Sequence, residues 1–345
     1  MAGEKTTRVA VLGATGYVGA ELLRVLSRHP AVELVLVSSE QYRGKRASDV
    51  YPALRGFVDL VLEPPDPIET AARAELVFTA LPHGAAAPIV KALRDHGAVV
   101  VDPSADFRLR DLAAYARWYG DHHAAPELIG EAVFGIPEFY RDRIRQTKLV
   151  AAPGCYSTCA LLGLVPLARA GLLREPVVID AKSGTTGAGR GTKVEQLFAE
   201  VNEDFRPYAV AAHRHCAEID QELAAAGARV PTVFVPHLLP LSRGMLCTMY
   251  VRTGAEPPLA RIFEDAYGRE PFVVLRGTEL PTIHEVRGTN RCAIGWRYDA
   301  ASGTAIVMTT LDNLGKGAAG QAVQCMNVVL GLSETAGLDV PGLVP

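Results

Sequence analysis

The stretch Arg8-Val9-Ala10-Val11-Leu12-Gly13-Ala14-Thr15-Gly16-Tyr17-Val18-Gly19-Ala20-Glu21-Leu22-Leu23 decides the fold. A short run of apolar and β-branched residues, 8–12, stops at a glycine. A pattern with helical spacing then runs over residues 17–27. A strand passing through a tight turn into a helix opens a βαβ unit, and such a turn aims backbone N–H groups and a helix N-terminus at a diphosphate. The glycines at 13, 16 and 19 depart from GxGxxG: aligned on Gly16 and Gly19, Ala14 stands where the first glycine belongs. The competing reading is a turn that only lets a helix pack on a strand. The strand-turn-helix context favours a nucleotide, with Gly13, Thr15, Gly16, Tyr17, Val18 and Gly19 as cofactor-binding candidates.

Outward from this turn the alternation continues, with β-rich runs at 32–38, 76–80 and 99–102 and a helical pattern at 85–96. It predicts an α/β fold, a Rossmann-like doubly wound parallel sheet. Residues 108–140, rich in aromatic, charged and Pro residues, read as irregular excursions. After residue 148 longer β-rich runs appear at 177–182, 232–235, 245–252, 293–298 and 304–311, the last two flanking a hairpin turn at 299–303. Helical patterns at 217–226 and 258–267 complete an α+β second domain. The expected division is residues 1–150 with 316–345 as the nucleotide domain, the helical run 317–330 packing back on it, and 151–315 as the catalytic and oligomerisation domain.

The 345 residues, 49% hydrophobic and 21% charged, suffice for two buried cores. Thirty-five basic against 38 acidic residues give a net charge of −3, so the composition recommends neither a nucleic acid nor a membrane as partner. A small-molecule substrate is expected. The first apolar run is too brief for a signal peptide or a membrane span, which makes the cytoplasm the expected location. Six Cys without CxxC pairs predict reduced thiols.

Where NAD-selective folds place an acid after the second strand, this chain reads Ser38-Ser39-Glu40-Gln41-Tyr42-Arg43-Gly44-Lys45. Hydroxyls and cations at Ser38, Ser39 and Arg43 suit the 2′-phosphate of NADP, while Glu40 turned inward would select NAD. Leu81-Pro82-His83-Gly84 is expected as a second loop at the carboxyl edge of the sheet, with Leu81, Pro82 and Gly84 beside the cofactor.

Pro153-Gly154-Cys155-Tyr156-Ser157-Thr158 lies between a β-rich run at 149–152 and a helical stretch at 159–170. A thiol near a helix N-terminus is biased toward the thiolate, the species that attacks carbonyl carbon, and the free N–H groups there can hold an oxyanion. Its base is sought in His213-Arg214-His215-Cys216-Ala217-Glu218. In an extended segment the two imidazoles point to opposite faces, so one alone meets Cys155; His213 is favoured, with His215 as substrate ligand or alternate base. Cys159, one turn on, reads as packing, as do Cys247 and Cys325. The His and Cys spacings match no zinc pattern, so no metal is expected. The remaining histidines read as surface or core residues.

Over nearly its whole length the chain resembles the N-acetyl-γ-glutamyl-phosphate reductases of arginine biosynthesis. The likeness is carried by GATGYVG at Gly13, LPHG at Leu81, SADFR at Ser104, PGCYST around Cys155, SGTTGAGR at Ser183, HRHCAEI at His213, PHLLPLSRG at Pro236 and DNLGKGAAGQAVQ at Asp312. The resemblance implies a second domain of the semialdehyde-dehydrogenase type and a homodimer or homotetramer. It implies an NADPH-dependent reduction in which Cys155 displaces phosphate from an acyl phosphate and a thioester is reduced to a semialdehyde. It also implies Ser183, Gly184, Gly187, Ala188 and Asn313 at the nicotinamide and Ser104, Arg108 and Glu218 at the substrate, Arg108 being suited to phosphate by its paired donors. Residues 39–55, with Tyr51-Pro52-Ala53-Leu54-Arg55-Gly56, resemble the sister reductases whose aminoadipyl or glutamyl phosphate is bound to a carrier protein, which keeps a carrier open as a partner. An NADP-binding redox regulator without turnover is the reading from another class; it has no need of the Cys155 and His213 pair.

Overall fold

The computed structural model describes residues 6–120, 122–191 and 194–343. The chain divides into two compact units, Met1–Pro153 with Ala318–Val340, and Gly154–Gly317 with Pro341–Pro345. In the first unit the strands are β1 (Thr7–Leu12), β2 (Val32–Ser38), β3 (Leu62–Glu63), β4 (Leu76–Thr79), β5 (Val99–Asp102), β6 (Val133–Phe134) and β7 (Leu149–Ala151). They form one sheet in the order β3-β2-β1-β4-β5-β7-β6, and every strand pairing in it is parallel. Val9, Ala10, Val11 and Leu12 are fully buried, as a central parallel strand covered on both faces requires; this is why the run is continuously apolar rather than alternating. The chain moves outward from β1 to β3 and then returns to β4 on the other side of β1. That reversal opens a crevice at the carboxyl ends of β1 and β4, where the glycine turn lies.

Residues 108–140 are more regular than expected. They contain the helix Leu112–Tyr119, the strand β6 and the start of the helix Pro137–Gln146. The last of these buries only Pro137, Glu138 and Ile144, too few apolar positions for the period to be read from sequence. The helix Gly320–Val329 is held in this unit by polar side chains: Gln321 donates to Gly135 O (2.8 Å), Gln324 to Glu138 Oε1 (3.2 Å), and the His29 ring pairs with Asn327 Oδ1 (2.9 Å).

The second unit holds β8 (Val177–Ser183), β9 (Arg206–Pro207), β10 (Thr232–Leu238), β11 (Met245–Arg252), β12 (Val273–Gly277), β13 (Cys292–Asp299) and β14 (Thr304–Leu311) in the order β12-β13-β14-β11-β8-β10-β9. Only β12 with β13 and β8 with β10 run parallel. The hairpin is as expected, with Asp299 opposite Thr304. Met245, Cys247 and Met249 alternate into the core under the helix Cys155–Arg169, and a Cβ on Gly163 would stand 2.5 Å from Met249 Cε, so the end of the methionine fills the space left by the missing side chain.

That helix starts four residues earlier than its pattern predicted, at Cys155, with Gly154 as N-cap. It also carries Pro166 in its interior, which has no N–H to give the carbonyl of Leu162. The hydroxyl of Tyr267 supplies the missing donor, 2.8 Å from Leu162 O. Tyr267→Phe is therefore expected to lower unfolding stability by about 1–2 kcal/mol, read as a lower urea midpoint with unchanged slope. An unchanged midpoint would show that the proline leaves no donor to replace.

Candidate active site

In the first unit, Gly13 has φ +78°, and a Cβ there would lie 2.3 Å from Ala80 O, so only glycine fits between β1 and β4. A Cβ on Gly19 would meet Gly13 O at 2.2 Å, which fixes the helix Tyr17–Leu26 against the turn. Gly16, its N-cap, is half-buried, and a Cβ there would meet Gly13 O at 3.7 Å, an ordinary contact. The expected specificity serines are buried and hold this turn: Ser38 Oγ accepts from Gly13 N–H (3.2 Å), and Ser39 Oγ pairs with Thr15 Oγ1 (2.8 Å) and accepts from Tyr42 N–H (3.3 Å). Tyr51, outside the expected set, donates its hydroxyl to Thr15 O (2.8 Å). Glu40 and Arg43 are exposed. The helix N-terminus that Gly16 caps, and the lack of side chains at Gly13 and Gly16 in a turn whose Thr15 hydroxyl is held by Ser39, fit a diphosphate.

The two other strings of this edge are tied together by carboxylates that the sequence reading passed over. Buried Asp106 accepts from Gly84 N–H (2.7 Å) and Ala87 N–H (2.9 Å), anchoring the loop Leu81-Pro82-His83-Gly84 and the helix behind it. Asp102, pushed up to about 6 by burial, accepts from Thr79 Oγ1, Ser104 N–H and Ser104 Oγ. Ser104 thus shapes the turn after β5. Arg108 is also buried and donates from Nε to Ala152 O (2.8 Å) and from Nη2 to Pro103 O (2.7 Å).

In the second unit a cavity of about 500 Å³ is lined by Cys155, Ser183, Gly184, Gly187, Ala188, His213 and His215 among others. Here the imidazoles depart from expectation. They do not diverge: their ring centroids are 4.6 Å apart and both line the cavity. The reason is local, because Arg214 between them is helical (φ −57°, ψ −30°) and the helix His215–Ala225 begins at the second imidazole, so strand alternation never applies. His215 N–H donates to His213 Nδ1 (3.2 Å), which leaves the neutral ring's proton on Nε2, and burial depresses the His213 pKa to about 3.

His215 sits against the nucleophile's own backbone. A Cβ on Gly154 would be 2.3 Å from His215 Nε2, so glycine at 154 is what lets the ring lie beside Cys155. Glu218 is fully buried; Oε2 accepts from Gly154 N–H (2.9 Å) and Oε1 lies 3.9 Å from His215 Nε2. Its contacts are with the nucleophile's turn and the imidazole. Gly317 makes a similar close approach from the other side, where a Cβ would lie 2.8 Å from Cys155 Cβ.

Ser183 Oγ donates to Gly184 O, and the loop 184–188 is clamped to the turn 241–244: Gly184 N–H donates to Gly244 O (2.9 Å), and Thr185 N–H to Leu241 O (2.8 Å). Asn313 bridges both, accepting from Gly244 N–H (2.7 Å) and donating to Thr186 Oγ1 (2.9 Å). Tyr208, Arg206 and Arg214 also line the cavity and were not singled out from sequence, since no local pattern marks them.

A family model for the semialdehyde dehydrogenase NAD binding domain matches residues 8–147, and one for the semialdehyde dehydrogenase dimerisation domain matches residues 155–313. The chain belongs to the semialdehyde dehydrogenase family. It is an oxidoreductase of that family, with a nucleotide cofactor. It is 48% identical to proteins named N-acetyl-gamma-glutamyl-phosphate reductase from Moorella thermoacetica and from a Geobacter species, covering 98% of this chain and 99% of each relative. Among solved structures, aspartate semialdehyde dehydrogenase II from Vibrio cholerae shares the fold at a TM-score of 0.72 and 18% identity, over 95% of this chain and 99% of that one. Aspartate semialdehyde dehydrogenase with NADP from Candida albicans has a TM-score of 0.71 at 16% identity, over 94% and 99%.

The depressed pKa of His213 gives this family member a stability signature. Between about pH 6.5 and 3 the unfolded chain binds a proton at this residue that the folded chain refuses, so its contribution is present above pH 6.5 and is lost as pH falls. The loss of urea stability from pH 7 to pH 5 is expected to be smaller in His213→Phe than in the wild type. Equal losses would mean that the ring is protonated in the fold.

Proposed function

We propose that the chain is an NADPH-dependent N-acetyl-γ-glutamyl-phosphate reductase, acting on the free acyl phosphate through a thioester at Cys155. The observation that carries this reading is the imidazole of His215 packed on Gly154 at the N-terminus of the helix that Cys155 begins. The thiolate, favoured by the helix N-terminus, attacks the acyl carbon; a C–S bond forms and the bond to phosphate breaks. First-turn N–H groups hold the oxyanion, Gly154 N–H being committed to Glu218. When bound, the reduced nicotinamide would supply the hydride that converts the thioester to the oxyanion of a hemithioacetal. Collapse of that adduct returns the Cys155 thiolate and releases the semialdehyde.

His215 is the proposed proton-handling group, with Glu218 favouring its charged form. His213 supports it, because its Nδ1 is occupied and its burial makes it a poor base at neutral pH. Ser183, Gly184, Gly187 and Ala188 are proposed for the nicotinamide side of the cavity, where a loop without bulky side chains permits close approach, and Asn313 for holding that loop. Arg108 is proposed for the phosphate. Ser38 and Ser39 are committed to the glycine turn, so the preference for NADP is assigned to the exposed Arg43. The 48% identical relatives are named for the N-acetyl compound, which supports a free substrate over a carrier-bound one. The dimerisation domain supports a homo-oligomer.

The test is phosphate-dependent reduction of NADP with N-acetylglutamate semialdehyde. Cys155→Ser is expected to abolish it, His215→Asn to lower kcat by about 10²–10⁴-fold and His213→Asn to cost much less. Arg43→Glu is expected to raise KM for NADP while leaving that for NAD nearly unchanged. Full activity in Cys155→Ser, or equal losses at the two histidines, would overturn the mechanism as written.

A further inference from the structure

The cavity wall opposite the nucleophile's helix is built by chain between β8 and β10, and that stretch is poorly covered by the rest of its unit. Glu195 and Gln196 line the cavity from a single turn, Val194–Gln196, which is followed by the short helix Phe198–Val201. Arg206 braces this excursion, donating to Glu195 O, Glu200 O and Asp204 Oδ2. The next wall residues, Tyr208, Ala209 and Ala212, are reached through a strained backbone. Glu203, Ala209 and Ala211 have φ of +63°, +44° and +54°, a region open to glycine that L-residues other than Asn and Asp avoid at a cost of about 1–2 kcal/mol each.

On its outer side the same excursion shows apolar residues to solvent. Phe198 is 81% and Val194 67% exposed, and Leu197 and Phe205 are exposed as well. Scattered single residues of this kind are ordinary, but four within twelve positions form a patch. The patch is continuous with one face of the second sheet, for the Phe205 ring lies 5.2 Å from that of His237 on β10. On that face Val233, Val178 and Tyr250 are exposed cross-strand neighbours, Val233 opposite Val178 and Val178 opposite Tyr250. The whole surface belongs to the part of the chain matched by a dimerisation domain.

We propose that a second copy of this chain packs on this sheet face and covers Val194, Leu197, Phe198 and Phe205 beside it, and that this cover fixes the Glu195–Gln196 wall of the substrate cavity. The site is then incomplete in a lone chain: the excursion carries the wall on one side and the partner's seat on the other. Two-fold symmetry makes the contact reciprocal, so each copy completes the other. The role given to the wall rests on the reductase reading above; the docking does not.

The experiment uses the full chain with Phe198→Asp, which adds a charge at an exposed position and leaves every cavity residue in place. Sedimentation is expected to show a dissociation constant for self-association raised at least tenfold. KM for N-acetylglutamate semialdehyde is expected to rise at least tenfold at low protein concentration and to return toward the wild-type value as concentration restores the assembly. The rate of Cys155 alkylation by iodoacetamide stays as in the wild type, showing an intact nucleophile. Wild-type assembly, or a wild-type KM at every concentration despite weakened assembly, or a KM still raised once assembly is restored, overturns the proposal. Val194→Ser carries the same expectations in smaller measure should the aspartate variant fail to fold. A wild type inert on this aldehyde sinks the reductase reading alone. Amide exchange over residues 194–201 then decides the docking without substrate: slowed by assembly if it holds, unchanged if it does not.

Discussion

The imidazole of His215 fills the space where a side chain at residue 154 would begin, and the chemistry of the second unit depends on that contact. Because residue 154 is glycine, the ring lies against the peptide that leads into Cys155. Because Glu218 holds Gly154 N–H and stands near the same ring, nucleophile turn and imidazole are fixed by one buried carboxylate. Any larger residue at 154 must push the ring away. Loss of Glu218 leaves a buried N–H unpaired and the imidazole without its neighbouring charge, a double penalty at the point where the helix dipole favours the thiolate.

The first unit uses the same device, with small residues where atoms must come close and buried carboxylates where loops must be held. Gly13 and Gly19 bring β1, β4 and the first helix within contact of one another, while Asp106 and Asp102 gather the N–H groups and hydroxyls of two loops at the carboxyl edge of the sheet. The string Ser104-Ala105-Asp106-Phe107-Arg108 is then explained by architecture before any ligand is invoked: Asp106 anchors the loop at Gly84, and Arg108 holds the carbonyl three residues before Cys155.

Much of this was legible from residue order. The parallel sheet followed from apolar runs alternating with helical periods, and the hairpin at residues 299–303 from its two flanking β-rich runs, because both depend on local pattern. The placement of Cys155 by a helix N-terminus and of the glycine turn between the first strand and helix was legible because residue type and position agree. What escaped were features set by tertiary partners. The helix at Cys155 begins earlier than its own residues favour, since Gly154 and the buried carboxylate define its start. The relation of His213 to His215 was misread because the chain turns helical at Arg214, a change that no hydrophobic period announces. Tyr208, Arg206 and the buried aspartates carry no pattern of their own and become visible only when distant segments meet.

The central claim, that Cys155 becomes acylated and that His215 acts beside it, is tested most directly by intact-protein mass spectrometry after mixing the enzyme with N-acetyl-γ-glutamyl phosphate in the absence of reduced cofactor. The account predicts one N-acetylglutamyl group per chain, mapped to Cys155, labile to hydroxylamine and formed more slowly in His215→Asn. A wild-type enzyme that turns over with NADPH yet never carries that adduct, or carries it on another residue, would contradict it.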